Sequence, residues 1–365
     1  MADPLKTLES APPSNSPPSI SRKTIPIAGI LTSIFGLDEL PPQASDVACL
    51  WLLHPRLATQ ERMSGIAASA ITDWNSRIRD SKQPVKGLIA VSFDQRNHGT
   101  RLVDALANEA WKQGNPRHAQ DMFSVFQGTA RDVSLLIDYL PSFIFPNSER
   151  RVSENLVLGV SLGGHAAWSC LLHEPRISAG VVIIGCPDYV NVMADRARLS
   201  KLPSWTNSDP PGSQFLGSEA FPWSLLDTVR KYDPASLFLS RMDRGSELAP
   251  LRNPSLPQPS EKEKEALRPL LSRCLAGKKI LNLSGGVDKL VPYHAGKAIL
   301  TWLKEALAPG GWFSDGAVVF EDIIDENAAH EATPKMVNEA VRFISETLAT
   351  SGENSKTGFV RDSKI

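Results

Sequence analysis

The stretch that decides the fold is Asn155-Leu-Val-Leu-Gly-Val-Ser-Leu-Gly-Gly164. An apolar, strand-like segment runs directly into Gly-x-Ser-x-Gly with Ser161 at its centre, and a helix-compatible segment follows until Pro175. A sharp strand-to-helix turn strains the residue at its apex, and glycine on both sides removes the Cβ atoms that would clash. We therefore predict that the Ser161 hydroxyl is exposed above a sheet as a nucleophile.

The alternative is a glycine-rich turn of a nucleotide-binding fold, in which Ser161 only caps the helix. A dinucleotide fingerprint places G-x-G-x-x-G near the first strand, with an acidic residue about 20 positions on. Here the turn lies in mid-chain and has serine between its glycines, which favours the nucleophile interpretation.

Short apolar segments recur along the chain and resemble strands buried on both faces. They lie at 47–53, 88–93, 156–160, 180–184, 280–283 and 317–320. Continuous rather than alternating hydrophobicity is typical of a parallel sheet covered by helices, so we predict an α/β fold. Two helices are predicted from their apolar spacing, one from Asp121 that ends before Pro141 and one capped by Thr333 with Pro334 in its first turn.

Composition limits the classes of function. The 365 residues carry a net charge of −1 with both signs interspersed, so the dominant basic face of a nucleic-acid-binding protein is absent from the sequence. The four cysteines are scattered, without the spacing of a zinc site or a disulfide scaffold. The sequence has no cationic, apolar leader, and the apolar segment 25–35 is interrupted by Pro26 and is too short to span a membrane. We expect a soluble intracellular protein.

A serine nucleophile needs an imidazole to accept its proton and a carboxylate to orient that imidazole. Asp288 follows the strand-like segment 280–283, and His330 follows the one at 317–320. The order Ser161, Asp288, His330 is that of one of the known serine-hydrolase designs. Asp188, which follows the segment 180–184, is the rival orienting carboxylate.

From about residue 25 to 348 the chain resembles an α/β-hydrolase. The resemblance rests on Leu52-Leu53-His54-Pro55, Asp94-Gln-Arg-Asn-His-Gly99, the pentapeptide 159–163, Asp288-Lys-Leu-Val-Pro292 and Ala329-His330-Glu331. It implies Ser161 as nucleophile, His330 as general base and acid, and Asp288 as the orienting carboxylate, with no cofactor and no metal ion. Within that family, the chain resembles the intracellular fungal hydrolases of esterase-like and secondary-metabolite pathways.

The resemblance also implies an oxyanion hole formed by the backbone N–H groups of Leu162 and Arg56. The sequence departs from the family here, because Pro55 stands where many members have glycine and proline has no N–H. The Arg56 guanidinium either grips a carboxylate or phosphate of the substrate or is an ordinary surface group. By the same resemblance, the segment 94–99 braces the loop after its strand. His165 lies one helical turn after Ser161, and we interpret it as a packing or hydrogen-bonding residue of the helix rather than a base.

The predicted organisation has four parts: a flexible lead at 1–21, a hydrolase core at 22–187 and 273–349, an inserted lid at 188–272 and a flexible tail at 350–365. The aromatic side chains of the lid are either ordinary core or the lining of an apolar acyl pocket. They are Trp205, Phe215, Phe221, Trp223 and Phe238.

The predicted function is that of a serine hydrolase that cleaves a small-molecule carboxylic ester or acyl thioester with an apolar acyl part. Alternatives are acyl transfer or cyclisation by the same fold, and a catalytically silent binding protein. The sequence ends in Ser363-Lys364-Ile365, one aliphatic change from the address read by the peroxisomal import receptor. We expect that receptor as a partner and the peroxisome as the location, with the cytoplasm as the alternative.

Overall fold

A computed structural model describes residues 3–6, 19–79, 86–242 and 255–354, and for the last four of these it describes the backbone only. The tripeptide 363–365 and most of the predicted tail lie outside the described residues. The strands are β1 Arg22–Ile27, β2 Ile30–Phe35, β3 Asp46–Leu53, β4 Gly87–Phe93, β5 Arg151–Val160, β6 Ile177–Ile183, β7 Lys279–Gly285 and β8 Val319–Asp325. The helices are α1 Ser64–Ile78, α2 His118–Ile144, α3 Leu162–His173, α4 Tyr189–Ser200, α5 Pro203–Thr206, α6 Trp223–Tyr232, α7 Pro234–Leu239, α8 Glu261–Leu275, α9 Tyr293–Leu307 and α10 Pro334–Asn354.

The eight strands form one sheet in the order β1-β2-β4-β3-β5-β6-β7-β8. β1 and β2 are antiparallel, β2 pairs antiparallel with β4, and all remaining pairs are parallel. Successive side chains of β3 enter different hydrophobic clusters, with Cys49 and Trp51 on one face and Ala48 and Leu50 on the other. The first cluster is closed by α2, α3, α8 and α9, and the second by α1 and α10. The predicted parallel sheet, covered on both faces, is confirmed.

The hairpin β1–β2 was not predicted as strands, because Pro26 interrupts its pattern. β1 is an edge strand, where a missing N–H costs no ladder bond, so the proline is tolerated. The two-residue loop has φ of 49° at Ala28 and 78° at Gly29, a geometry that matches the twist of the paired strands.

Two predicted elements have wrong bounds. The helix predicted from Asp121 begins at His118 and runs through Pro141 to Ile144. Pro141 is tolerated because it lies in the last turn, where its missing N–H removes a single backbone hydrogen bond. Its carbonyl still accepts a hydrogen bond from Phe145 N at 2.8 Å. The last strand, predicted at 317–320, starts at Val319 because Ala317 is left-handed, and it continues to Asp325 as a half-exposed edge that admits charged residues.

The predicted flexible lead at 1–21 lies mostly outside the described residues and stays a prediction, but residues 3–6 pack on the protein. Leu5 is 1% exposed inside the cluster beneath α10, and Pro4 O accepts a hydrogen bond from Ala332 N at 2.8 Å. Burial of Leu5, the bond from Ala332 N to Pro4 O and an ion pair between Asp3 and Arg62 hold this short segment against the protein.

The predicted lid contains α4 to α7, and α8 follows the undescribed segment 243–254. The side chains of α8 join the cluster that also holds α3, next to the sheet. The boundaries 188–272 stay a prediction. No helix in the described ranges has both the length and the apolar character needed to cross a bilayer.

Candidate active site

Ser161 forms the turn between β5 and α3. Its φ of 57° and ψ of −112° lie outside the ordinary regions for a residue with a side chain. Its N–H donates to Ile183 O at 2.9 Å, which ties the strained turn to the end of β6. This is the strand–turn–helix context that the Gly-x-Ser-x-Gly pattern predicts.

The flanking glycines are required by close backbone approach. A Cβ atom on Gly159 would lie 1.9 Å from Gly163 O, and one on Gly163 would lie 2.0 Å from Leu53 O. These distances are far below van der Waals contact, so only glycine lets the start of α3 sit against the ends of β5 and β3.

The three side chains predicted to act together are in contact. The Oγ atom of Ser161 lies 2.8 Å from Nε2 of His330, and Nδ1 of His330 lies 2.7 Å from Oδ2 of Asp288. Ser161 is 7% exposed, and Asp288 is buried. Thr333 Oγ1 accepts from Met336 N at 3.2 Å, so the predicted cap of α10 is present just after the His330 loop.

Asp288 is held as a carboxylate by its hydrogen bonds. Burial acts to raise the pKa of Asp288, but the hydrogen bond and charge of His330 and the N–H groups of Val291 and Leu290 hold it below its ordinary value. Oδ1 accepts both N–H groups, at 2.8 Å from Leu290 and 3.0 Å from Val291, which leaves Oδ2 for His330.

Asp188, the rival carboxylate, caps α4 by accepting Asn191 N at 3.0 Å. Burial and the negative charge of Asp188 raise the pKa of nearby Asp233 to about 7. The imidazole Nδ1 of His330 is thus bonded to Asp288, and Asp188 belongs to a separate buried carboxylate pair.

The loop after β3 lies against the start of α3, as an oxyanion loop requires. His54 is buried, and this burial lowers the pKa of its imidazole to about 4. Its Nε2 accepts a hydrogen bond from Gln95 N at 2.9 Å. Leu162 is the first residue of α3, where a backbone N–H has no acceptor within the helix. The guanidinium of Arg56 donates to Asn108 O at 2.9 Å. The oxyanion roles of Leu162 and Arg56 stay predictions.

The segment after β4 has the bracing contacts that were predicted for it. Asp94 accepts from Gln60 N at 2.9 Å and Thr100 N at 2.8 Å, and Arg96 pairs with Asp132 at 2.9 Å. These contacts link the loop after β4 to its neighbours on both sides.

His165 and the lid aromatics are mostly core. His165 is buried, stacks on Phe126 and bonds Cys186 O through Nδ1 at 3.0 Å, as predicted for a packing residue. Of the five lid aromatics, four are buried and Trp223 is 60% exposed.

Sequence reasoning missed Arg196 of α4. Its guanidinium donates to Leu290 O, two residues from Asp288. An arginine in an amphipathic helix carries no local sign of this contact, because its partner lies 94 positions away.

Comparison with solved structures agrees with this architecture. TT1662 from Thermus thermophilus is 16% identical, with a TM-score of 0.52 and coverage of 91% of this chain and 99% of that one. The S-formylglutathione hydrolase of Agrobacterium tumefaciens is 16% identical, with a TM-score of 0.43 and coverages of 92% and 94%. The acylaminoacyl peptidase of Pyrococcus horikoshii is 11% identical, with a TM-score of 0.43. The match covers 95% of this chain and 43% of the peptidase, so this chain spans less than half of the peptidase's length.

No protein-family profile and no curated protein sequence matches the chain. At such low identities the structural similarity concerns the fold. The chain has the α/β-hydrolase fold, as the sequence resemblance predicted.

Proposed function

We propose that the protein is a serine hydrolase that cleaves a carboxylic ester or acyl thioester through an acyl-enzyme at Ser161. One observation carries the proposal: the strained Ser161 turn is joined to His330 at 2.8 Å, and His330 to Asp288 at 2.7 Å. A hydroxyl in contact with an imidazole that a buried carboxylate orients is the arrangement for nucleophilic acyl transfer.

In the first half of the reaction, Ser161 Oγ bonds to the carbonyl carbon while its proton passes to His330 Nε2. The carbonyl oxygen becomes an oxyanion that we assign to the N–H groups of Leu162 and Arg56. The bond to the leaving alcohol or thiol then breaks, and His330 returns the proton to that group.

In the second half, water attacks the acyl-enzyme and gives its proton to His330. The carboxylic acid leaves, and the proton returns to Ser161. Asp288 keeps the Nδ1 proton of His330 in place throughout, so that Nε2 can accept. The step needs no further reactant than water.

Labelling with a fluorophosphonate probe tests the nucleophile directly. We expect wild-type protein to be labelled on the peptide that contains Ser161, and the Ser161→Ala variant to lose both labelling and turnover of p-nitrophenyl and thioester substrates. Ser153→Ala, which changes an exposed serine of the same strand, is the matched control and should react like wild type. Full turnover by Ser161→Ala, or an unreactive wild type, would refute the proposal.

We further propose an apolar acyl part and a role in secondary-metabolite biosynthesis, and both rest on the sequence resemblance alone. Hydrolysis is separated from acyl transfer by product analysis with and without an acceptor alcohol. Peroxisomal import through Ser363, Lys364 and Ile365 is likewise a proposal. It is tested by locating a fluorescent fusion with and without these three residues at the C-terminus.

A further inference from the structure

Arg196 lies beside the site with only neutral acceptors. Nε and Nη2 donate to Leu290 O at 3.4 and 3.2 Å, while Nη1 contacts His118 Nε2 at 3.2 Å and Met122 Sδ at 2.9 Å. In the described part of the chain no carboxylate forms an ion pair with Arg196. Its sequence neighbour Asp195 pairs instead with Arg198 at 2.6 Å.

His118 is neutral and contacts Arg196 as an uncharged acceptor. Its Nδ1 lies 2.9 Å from Glu109 O, a carbonyl that can only accept, so the ring proton is on Nδ1 and the Nε2 lone pair faces Arg196. Burial and the charges of Arg196 and Arg56 hold the pKa of His118 well below its ordinary value.

Arg56 brings a second guanidinium into the same region. Burial and the positive charge of Arg196 lower the pKa of Arg56 to about 10, and the negative charge of Glu109 acts in the opposite direction. Nearby carboxylates act against this repulsion, Glu109 on Arg56 and Asp288 with Asp195 on Arg196, and a bound anion would reduce it further.

Each arginine is connected to the Ser161 site by a different route. A continuous series of contacts leads from Ser161 through His330 and Asp288 to Leu290 N, and Leu290 O then meets Arg196. Arg56 lies on the loop after β3, whose last carbonyls sit against the first turn of α3.

We propose that Arg196 and Arg56 bind an anionic oxygen group of the substrate, either a carboxylate on its acyl half or a phosphate on its leaving half. The inference deepens the proposed function and rests on it. A guanidinium presents paired N–H donors that match the oxygens of either group. The thioether and carbonyl that Arg196 now contacts are weaker acceptors than such an anion, so replacing these contacts by hydrogen bonds to the anion is favourable.

Matched substrates test the proposal. Mono-p-nitrophenyl adipate and p-nitrophenyl hexanoate have acyl chains of equal length and differ in the terminal carboxylate. Hexanoyl-phosphopantetheine and hexanoyl-pantetheine differ only in the phosphate of the leaving group. We expect wild type to prefer the anionic member of one pair by about 10- to 100-fold in kcat/KM, and Arg196→Gln to bring that ratio close to one.

The pair that shows the effect identifies which half carries the anion. Arg198→Gln, two positions along α4 and paired with Asp195, is the control and should keep the wild-type ratio. Ratios near one in both pairs, unchanged by Arg196→Gln, overturn the inference while leaving the serine hydrolase proposal intact.

Two further measurements keep the outcomes separate. If no ester is turned over and no probe reacts, the hydrolase proposal fails, and calorimetric binding of adipate to the protein still tests the anion site. If Arg196→Gln does not fold, inhibition of wild type by adipate but not by dimethyl adipate supports the site. Equal inhibition by the two compounds overturns it.

Discussion

Replacing Asp288 by asparagine changes one atom and reverses the direction of a hydrogen bond. Oδ1 of Asp288 accepts Leu290 N at 2.8 Å and Val291 N at 3.0 Å, so the single oxygen of asparagine is best kept at that position. The amide NH₂ then faces Nδ1 of His330, where Oδ2 lies at 2.7 Å in the wild type. Since an NH₂ group can only donate, Nδ1 must become the acceptor and the ring proton moves to Nε2.

With its proton on Nε2, His330 can no longer accept the proton of Ser161. The comparable tautomer error in known serine hydrolases lowers kcat by about 10⁴-fold. At 1.36 kcal/mol for each tenfold change this is about 5 kcal/mol of transition-state stabilisation. We expect a loss of that size in Asp288→Asn, with the folded structure retained.

The assay is steady-state turnover of a p-nitrophenyl ester, with fluorophosphonate labelling rate as a second readout. Asp188→Asn is the matched control, because asparagine is as good a helix cap as aspartate and Asp188 caps α4. We expect it to stay within about tenfold of wild type. An Asp288→Asn variant that keeps more than about a tenth of the activity, or an equal loss in Asp188→Asn, would refute the reasoning.

Three further perturbations test the fold around the site. Gly163→Ala places a methyl group 2.0 Å from Leu53 O, so we expect loss of soluble or probe-reactive protein, whereas Gly65→Ala, with open space around its Cβ, should keep both. Leu5→Ala should lower the free energy of unfolding by about 2–5 kcal/mol in urea titrations, since Leu5 is 1% exposed, and an unchanged midpoint would contradict its anchoring role. The pKa of Asp233 is raised to about 7, above its value in the unfolded chain, so wild type binds an extra proton when folded and should lose stability as pH rises from about 4 through 7. Asp233→Asn should flatten that slope, and an unchanged slope would exclude Asp233 as its source.

Local patterns in the sequence were sufficient for much of the fold. The glycines around Ser161 could be recognised because the close approach they permit occurs within a few residues of the turn. The parallel strands could be recognised because burial on both faces demands continuous apolar residues. The cap at Thr333 is equally local.

Edge strands were less predictable from sequence. They are half exposed or free on one side, so they tolerate residues that a central strand excludes. Pro26 in β1 and Glu321 with Asp322 in β8 are such residues. Because of them, the sequence pattern did not predict the β1–β2 hairpin and ended the last strand too early. Sequence patterning therefore located the centre of the sheet better than its margins.

The sequence by itself determined the candidate nucleophile Ser161, its helix and the order of its candidate partners, because each depends on neighbours along the chain. Only the tertiary structure decided that Asp288 rather than Asp188 bonds His330, and that Arg196 reaches the loop beside it. Those contacts join residues 42 and 94 positions apart. Their distances depend on how strands and helices pack in space, which no local pattern of residues encodes.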